Sequence, residues 1–202
     1  YVLLQVALPA DNEIIIDAAE QMWASLYSIK KGGWFKFLRP QSHLSFEIVA
    51  RHEDIRFYVS VPQKLKDMIE KQINGAYPDA EIIEVPEYNI FSENGRIAFT
   101  ELELKKSSYC PIKAYKDLPT DPLSLITTAL AKMGPEEGAA VQILVGPADN
   151  NWRGKGRSYI ASVKKAESDP EKAKFKVDAK TLEAIENKCS KSGFETIIRI
   201  VV

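Results

Sequence analysis

Apolar residues recur along this chain with two different periods, and the switches between them mark out its elements. Leu3 to Leu8 is a short apolar run, closed by Pro9 and the Asp11-Asn12 turn. Ile15, Ala18, Met22, Leu26 and Ile29 then return at spacings of three and four, the stripe of an amphipathic helix that Lys30-Lys-Gly-Gly33 stops. Beyond Leu44 the period falls to two. Leu44, Phe46, Ile48 and Ala50 alternate with Ser45, Glu47, Val49 and Arg51; His52-Glu53-Asp54 reverses the chain; Ile55, Phe57, Val59 and Val61 alternate on the return. In this hairpin Phe57 is expected to point into the core and Tyr58, beside Arg56, to face outward. Helical spacing resumes with Leu65, Met68, Ile69, Ile73 and Ala76, bracketed by Gly75 and Pro78, and Glu81 to Val85 reads as a fourth strand. The order β-α-β-β-α-β over residues 1–90 predicts a ferredoxin-like α+β unit, one antiparallel sheet with both helices on one face.

After the polar turn Ser92-Glu-Asn-Gly95 the pattern starts again. Ile97 to Lys105 is a strand, and Thr120-Asp121-Pro122 opens a helix with a capping hydroxyl and a proline in the first turn. That helix carries Leu125, Ile126, Ala129, Leu130 and Met133 and ends at Gly134-Pro135. Ala139 to Val145 is an apolar strand. Asp149 to Ala166 has helical spacing through Trp152, Tyr159, Ile160 and Val163, Glu167 to Lys174 is charged and broken by proline, and Asp178 caps a last helix with Leu182, Ile185 and Cys189. Phe194 to Val202 is the final strand. Residues 91–202 are therefore expected to form a second, related but irregular and incomplete α+β unit, with an insertion at about 147–177. Phe57-x-Val59 before Leu65 and Ile69-Glu70 is loosely matched by Phe175-x-Val177 before Leu182 and Ile185-Glu186. Both ends of the chain are apolar and strand-like, so the sequence is expected to be cut from a longer polypeptide, the second sheet closing beyond Val202.

Composition narrows the classes. The chain has 202 residues, 45% of them hydrophobic and 27% charged, as in an ordinary soluble domain. The formal net charge of −1 argues against nucleic-acid binding through a large overall basic excess, while leaving room for a local patch. Two cysteines, Cys110 and Cys189, are too few for a disulfide framework, which favours free thiols and a reducing, cytoplasmic setting. No run approaches the ~18 residues that would span a bilayer.

Candidate chemistry is sparse. Gly146 to Gly156 follows a strand and contains Gly154-Lys155, but seven residues stand between Gly146 and that pair where a phosphate loop has four, and Gly156 stands where a Ser or Thr would reach magnesium. It reads as a polar surface loop. His43 and His52, nine residues apart on an extended strand, would lie ~30 Å from each other, too far to share a metal ion. Glu81, Glu84, Glu101 and Glu103 alternate with apolar neighbours as on a solvated sheet face, and Ser107, Ser108 and Cys110 have no base signalled beside them. The sequence thus assigns no catalytic residue, no metal and no cofactor. Two basic clusters interleaved with aromatics are the candidate contacts for an anion or nucleic acid. The first is Lys30, Lys31, Lys36 and Arg39 with Trp34, Phe35 and Phe37. The second is Arg153, Lys155, Arg157, Lys164 and Lys165 with Trp152 and Tyr159.

Several stretches carry a family resemblance: Leu4-Gln-Val-Ala-Leu-Pro9, Ala18-Ala-Glu-Gln-Met-Trp-Ala-Ser-Leu-Tyr27, His43-Leu-Ser-Phe-Glu-Ile48, Ile55-Arg-Phe-Tyr-Val59, Gln72-Ile73, Tyr77-Pro-Asp-Ala-Glu-Ile82, and Val141-Gln-Ile-Leu-Val145 with Trp152. Together they resemble the region preceding the motor domain in large conjugation-type ATPases of candidate-phylum bacteria, relatives of type IV secretion coupling proteins and of the HerA and FtsK motors. In that family the Walker A loop, Walker B carboxylate and arginine finger come later, and none has a counterpart here. The resemblance implies a non-catalytic assembly or regulatory module of a translocating ATPase. Its implied partners are other copies of the parent chain or secretion-system components. The alternative expectation is a nucleic-acid-binding module using the two basic-aromatic loops.

Overall fold

The hairpin that the alternation predicts lies within a wide antiparallel sheet. The computed structural model describes residues 1–30, 42–52, 54–168 and 177–202. Its strands are β1 (Val2–Ala7), β2 (Leu44–Arg51), β3 (Asp54–Val61), β4 (Glu81–Val85), β5 (Phe99–Leu102), β6 (Gly138–Pro147) and β7 (Phe194–Val201). Among the described residues there are five α-helices: α1 (Ala18–Leu26), α2 (Lys66–Ala76), α3 (Pro122–Leu130), α4 (Asn151–Glu167) and α5 (Ala179–Ser190). All seven strands join one sheet in the order β4-β1-β3-β2-β6-β7-β5, every pair antiparallel. The chain is of mixed α+β class.

Among the described residues the strands form one sheet, not two. β6 runs beside β2 along its whole length, Leu44 opposite Val145 and Arg51 opposite Gly138, so strands of the second half extend the first sheet. The physical reason lies in β2, where residues of both faces are buried: Leu44, Ile48 and Ala50 on one, Ser45, Glu47 and Val49 on the other. A strand so covered belongs in the middle of a sheet, with its backbone groups bonded on both edges. The molecule divides into two compact units, one of residues 1–103, 121–147 and 194–202, the other of residues 104–120 and 148–193.

The first unit holds the sheet with α1, α2 and α3. Leu4, Leu44, Val59, Val61 and Val145 form an aliphatic cluster with Leu26 of α1 and with Ile69 and Ile73 of α2. Ile48, Ala50, Ala139 and Val141 cluster with Leu130 of α3. By the strand register these residues share one face, so all three helices cover the same side. Trp23 of α1 bridges Phe46 and Phe194, with ring centroids 4.9 and 5.7 Å away. Ile15, expected on the α1 stripe, precedes the helix and is exposed. Asp121 caps α3, its carboxylate accepting the Leu123 N–H at 2.9 Å, where the sequence had pointed to the Thr120 hydroxyl.

The opposite face is also covered, which reverses the expectation for the central strand. Tyr58 is buried with Leu3, Val49 and Ala140 under Ile90 and Tyr88, residues of the irregular segment that follows β4. Phe57 faces the helices but falls outside both aliphatic clusters and is 47% exposed. Strand alternation assigns residues to faces, but it does not say which part of a face is roofed.

The second unit packs α4 against α5. Ile160, Ile185 and Cys189 are its buried centre, with Tyr109, Trp152, Tyr159 and Leu182 around them. Gly156 allows the close approach: a Cβ there would collide with the Cys189 sulfur and touch the Tyr109 Cβ at 3.0 Å. Both cysteines are free.

Candidate functional site

The second basic cluster lies on a helix, not in a loop. Asn151 to Glu167 is continuous α4, with Gly154 and Gly156 as helical residues, so the Gly146–Gly156 stretch is not a polar surface loop. Helical periodicity splits the cluster. Trp152, Gly156, Tyr159 and Ile160 recur at three and four and turn inward, Trp152 lying against Gly193. Arg153 is half-buried: its guanidinium donates to the Lys191 carbonyl and to Asn150 Oδ1 at 3.4 Å and lies 5.6 Å from the Trp152 ring centroid. Trp152 and Arg153 thus serve packing, while Lys155, Arg157, Lys164 and Lys165 are exposed, spread from one flank of the helix to the other around its solvent side.

Of the first cluster, Lys30 follows the short 3-10 turn Tyr27–Ile29 that extends α1. Its Nζ donates to the Tyr27 hydroxyl at 2.9 Å and sits 5.1 Å from that ring centroid. Lys31, Trp34, Lys36 and Arg39, with Phe35 and Phe37, lie outside the described residues.

Two features of the first unit were not found from sequence. One is a cleft of about 700 Å³ on the helix-covered face, floored by Val141 and Ile200 and walled by Ile126 of α3, by Met133 just beyond that helix, and by Phe91 and Ile97. Arg96, Glu136 and Glu137 also line it. Near it in sequence stands β5, which among the described residues is an edge strand bonded only to β7; its four residues are all exposed, Phe99 at 75%. Leu102, and Leu125 of α3, are exposed as well. The sequence signal was present in the apolar residues of Ile97 to Leu104, but alternation alone does not reveal that a strand is an edge.

The other is a polar row across the opposite face. Gln5, Tyr58, Glu47, Gln142, Arg199 and Glu101 stand directly opposite one another on six successive strands. Glu47 is buried and accepts from the Tyr88 hydroxyl at 2.5 Å; that hydroxyl accepts from Gln142 Nε2 at 3.1 Å. Burial, then the neighbouring Glu47 carboxylate, holds the Tyr88 phenol well above its usual value. Arg199 pairs with Glu101 at 2.8 Å, and Arg56 reaches Asp54 at 2.7 Å and Gln5 at 3.3 Å. These partners satisfy one another, so the row organises the face.

Among the described residues no three His, Cys, Asp or Glu side chains are grouped to hold a metal ion, and no helix is long and apolar enough to cross a membrane. His52 lies at the turn of the hairpin with φ 29°, and His43 meets the Tyr1 hydroxyl. No curated protein matches the sequence. A family model described as Domain of unknown function (DUF8128) matches residues 2–202, so the chain belongs to the DUF8128 family.

Proposed function

We propose that the chain is a non-catalytic assembly module of a larger conjugation- or type IV secretion-type translocating ATPase, meeting another copy of its parent through the β5 edge. The observation that supports this is the chemistry of that edge. Proteins usually blunt a free edge with charge, proline or a cover, because unpaired N–H and C=O groups recruit foreign strands. β5 is short, yet it carries exposed Phe99 and Leu102 beside the open backbone. A neighbouring strand would bond that backbone and cover those side chains. The resemblance to the region before a motor domain fits such a role, and the free thiols Cys110 and Cys189 fit a cytoplasmic one.

Residues 1–90 are read as a ferredoxin-like unit, from the element order β-α-β-β-α-β and the strand order β4-β1-β3-β2, with three further strands added beyond β2. The test is made in the parent protein. Phe99→Lys with Leu102→Lys should reduce the assembled species seen by size exclusion with light scattering, and Thr100→Cys should cross-link adjacent copies. Deletion of residues 1–202 that leaves assembly, ATPase rate and transfer all unchanged refutes the reading. Cross-links formed only to another secretion component would reassign the partner.

A further inference from the structure

We propose that the solvent face of α4 binds the phosphate backbone of duplex nucleic acid. The near-zero net charge of the chain conceals a segregation. The second unit holds 15 Lys and Arg against 8 Asp and Glu, whereas the first holds 12 against 20. Within the second unit α4 is the most one-sided element. Lys155, Arg157, Lys164 and Lys165 are exposed, none of the four has a carboxylate partner among the described residues, and Glu167 at the end is the helix's one acidic residue. Lys155 and Lys165 are separated by ~15 Å of helix axis. Duplex DNA carries one charge per ~1.7 Å of its own axis, so several phosphates fall within reach.

The residues between these cations specify what can approach. Gly154, Ser158, Ala161 and Ser162 are exposed and small, and Gly154 has open space around it, so a backbone can lie close against the helix. An anionic membrane is a poorer fit, because this face offers no large apolar side chain to bury in the lipid. Single strands are also a poorer fit. They are gripped by stacking bases on exposed aromatics, and Trp152, Tyr109 and Tyr159 are packed into the unit's own core, the two tyrosine rings stacked at 5.3 Å. What remains is an array of cations that reads charge density and not sequence. The inference is independent of the assembly reading, which rests on β5, and either can fail alone.

The test is fluorescence anisotropy of the 202-residue chain with a labelled duplex of about 20 base pairs, titrated at several salt concentrations. Four neutralised phosphates predict a slope of about −3.6 in log K against log salt, a loss of roughly 100-fold between about 50 and 200 mM. Combining Lys155→Gln, Arg157→Gln, Lys164→Gln and Lys165→Gln should flatten that slope and weaken binding at least tenfold, with far-ultraviolet circular dichroism unchanged. Combining Lys64→Gln, Lys71→Gln, Arg96→Gln and Lys132→Gln in the first unit alters net charge equally and should leave binding within about twofold. The proposal is overturned by no duplex binding at about 50 mM salt, by a slope the α4 changes leave intact, or by an equal loss in the first-unit control. Tighter binding of single strands than duplex, or capture by phosphatidylserine vesicles without duplex binding, also overturns it.

Discussion

The two faces of the first unit's sheet are built from the same strands by different means. On one, Leu4, Leu44, Val59, Val61 and Val145 interlock with Leu26, Ile69 and Ile73 of two helices. On the other, a row of polar side chains crosses six strands, and an irregular segment covers its middle with Tyr88 and Ile90. A helix covers a sheet through many small, mutually replaceable contacts. A segment without its own hydrogen-bonding pattern must be fixed by a few particular ones, here the Tyr88 hydroxyl on Glu47 and the seat of Ile90 against Gly138. The helix face should therefore lose stability in proportion to the volume removed, and the other face in response to single atoms.

The largest effect is expected on the helix face. Leu4 is fully buried at the centre of its cluster, so Leu4→Ala removes transfer energy and leaves a cavity, costing about 2–5 kcal/mol. A urea titration should show the midpoint falling with an unchanged slope. A cost below about 1 kcal/mol would mean that this side is not close-packed and would dissolve the contrast.

Next comes a single methyl group on the other face. A Cβ at position 138 would collide with the Ile90 carbonyl oxygen and meet Ile90 Cβ at 2.9 Å, and the nearest obstacle is backbone. Gly138→Ala should cost in the upper part of about 1–3 kcal/mol. Hydrogen exchange should show faster opening in residues 86–91 than in the helices. Uniform acceleration across the unit would instead make the cover an integral part of the core.

The same contrast decides how much the sequence discloses. Elements whose stabilisation is periodic were legible: the hairpin from Leu44 to Val61, the stripes of α2, α3 and α5, and the helix through Trp152 and Ile160. Structure that depends on a non-periodic partner was not. Tyr58 looked solvated because Tyr88, which covers it, belongs to no repeat, and Phe57 looked buried because the register cannot show where the helices stop. β2 as the joint between the halves was hinted at only by Val49 on the polar side of an alternating strand. At the candidate sites, Lys155 and Arg157 could be named from composition. Their separation from Trp152 and Arg153 rests on contacts with Gly193, Asn150 and Lys191 that no local pattern encodes. The exposed edge of β5 depends on strand order, which no local pattern encodes.

The most discriminating change is the smallest, the loss of one oxygen atom. Tyr88→Phe keeps the ring against Tyr58, whose centroid is 5.4 Å away, but removes the donor to buried Glu47 and the acceptor for Gln142. At pH 8 it should cost about 1–2 kcal/mol, the worth of a hydrogen bond to a charged group less what water recovers. Its pH dependence separates this bond from simple packing. The folded-state phenol is raised above its ordinary value of 10.0, so the stabilisation is fully present below that pH. Above it the unfolded chain ionises first, and wild-type stability falls by at most about 1.4 kcal/mol per pH unit until the folded phenol also titrates. The substituted ring has no proton to lose, so the gap between wild type and Tyr88→Phe in urea titrations should narrow from pH 8 to pH 11. A gap of equal size at both values would show that Tyr88 acts through ring packing alone, and the two faces would then be held by the same kind of contact.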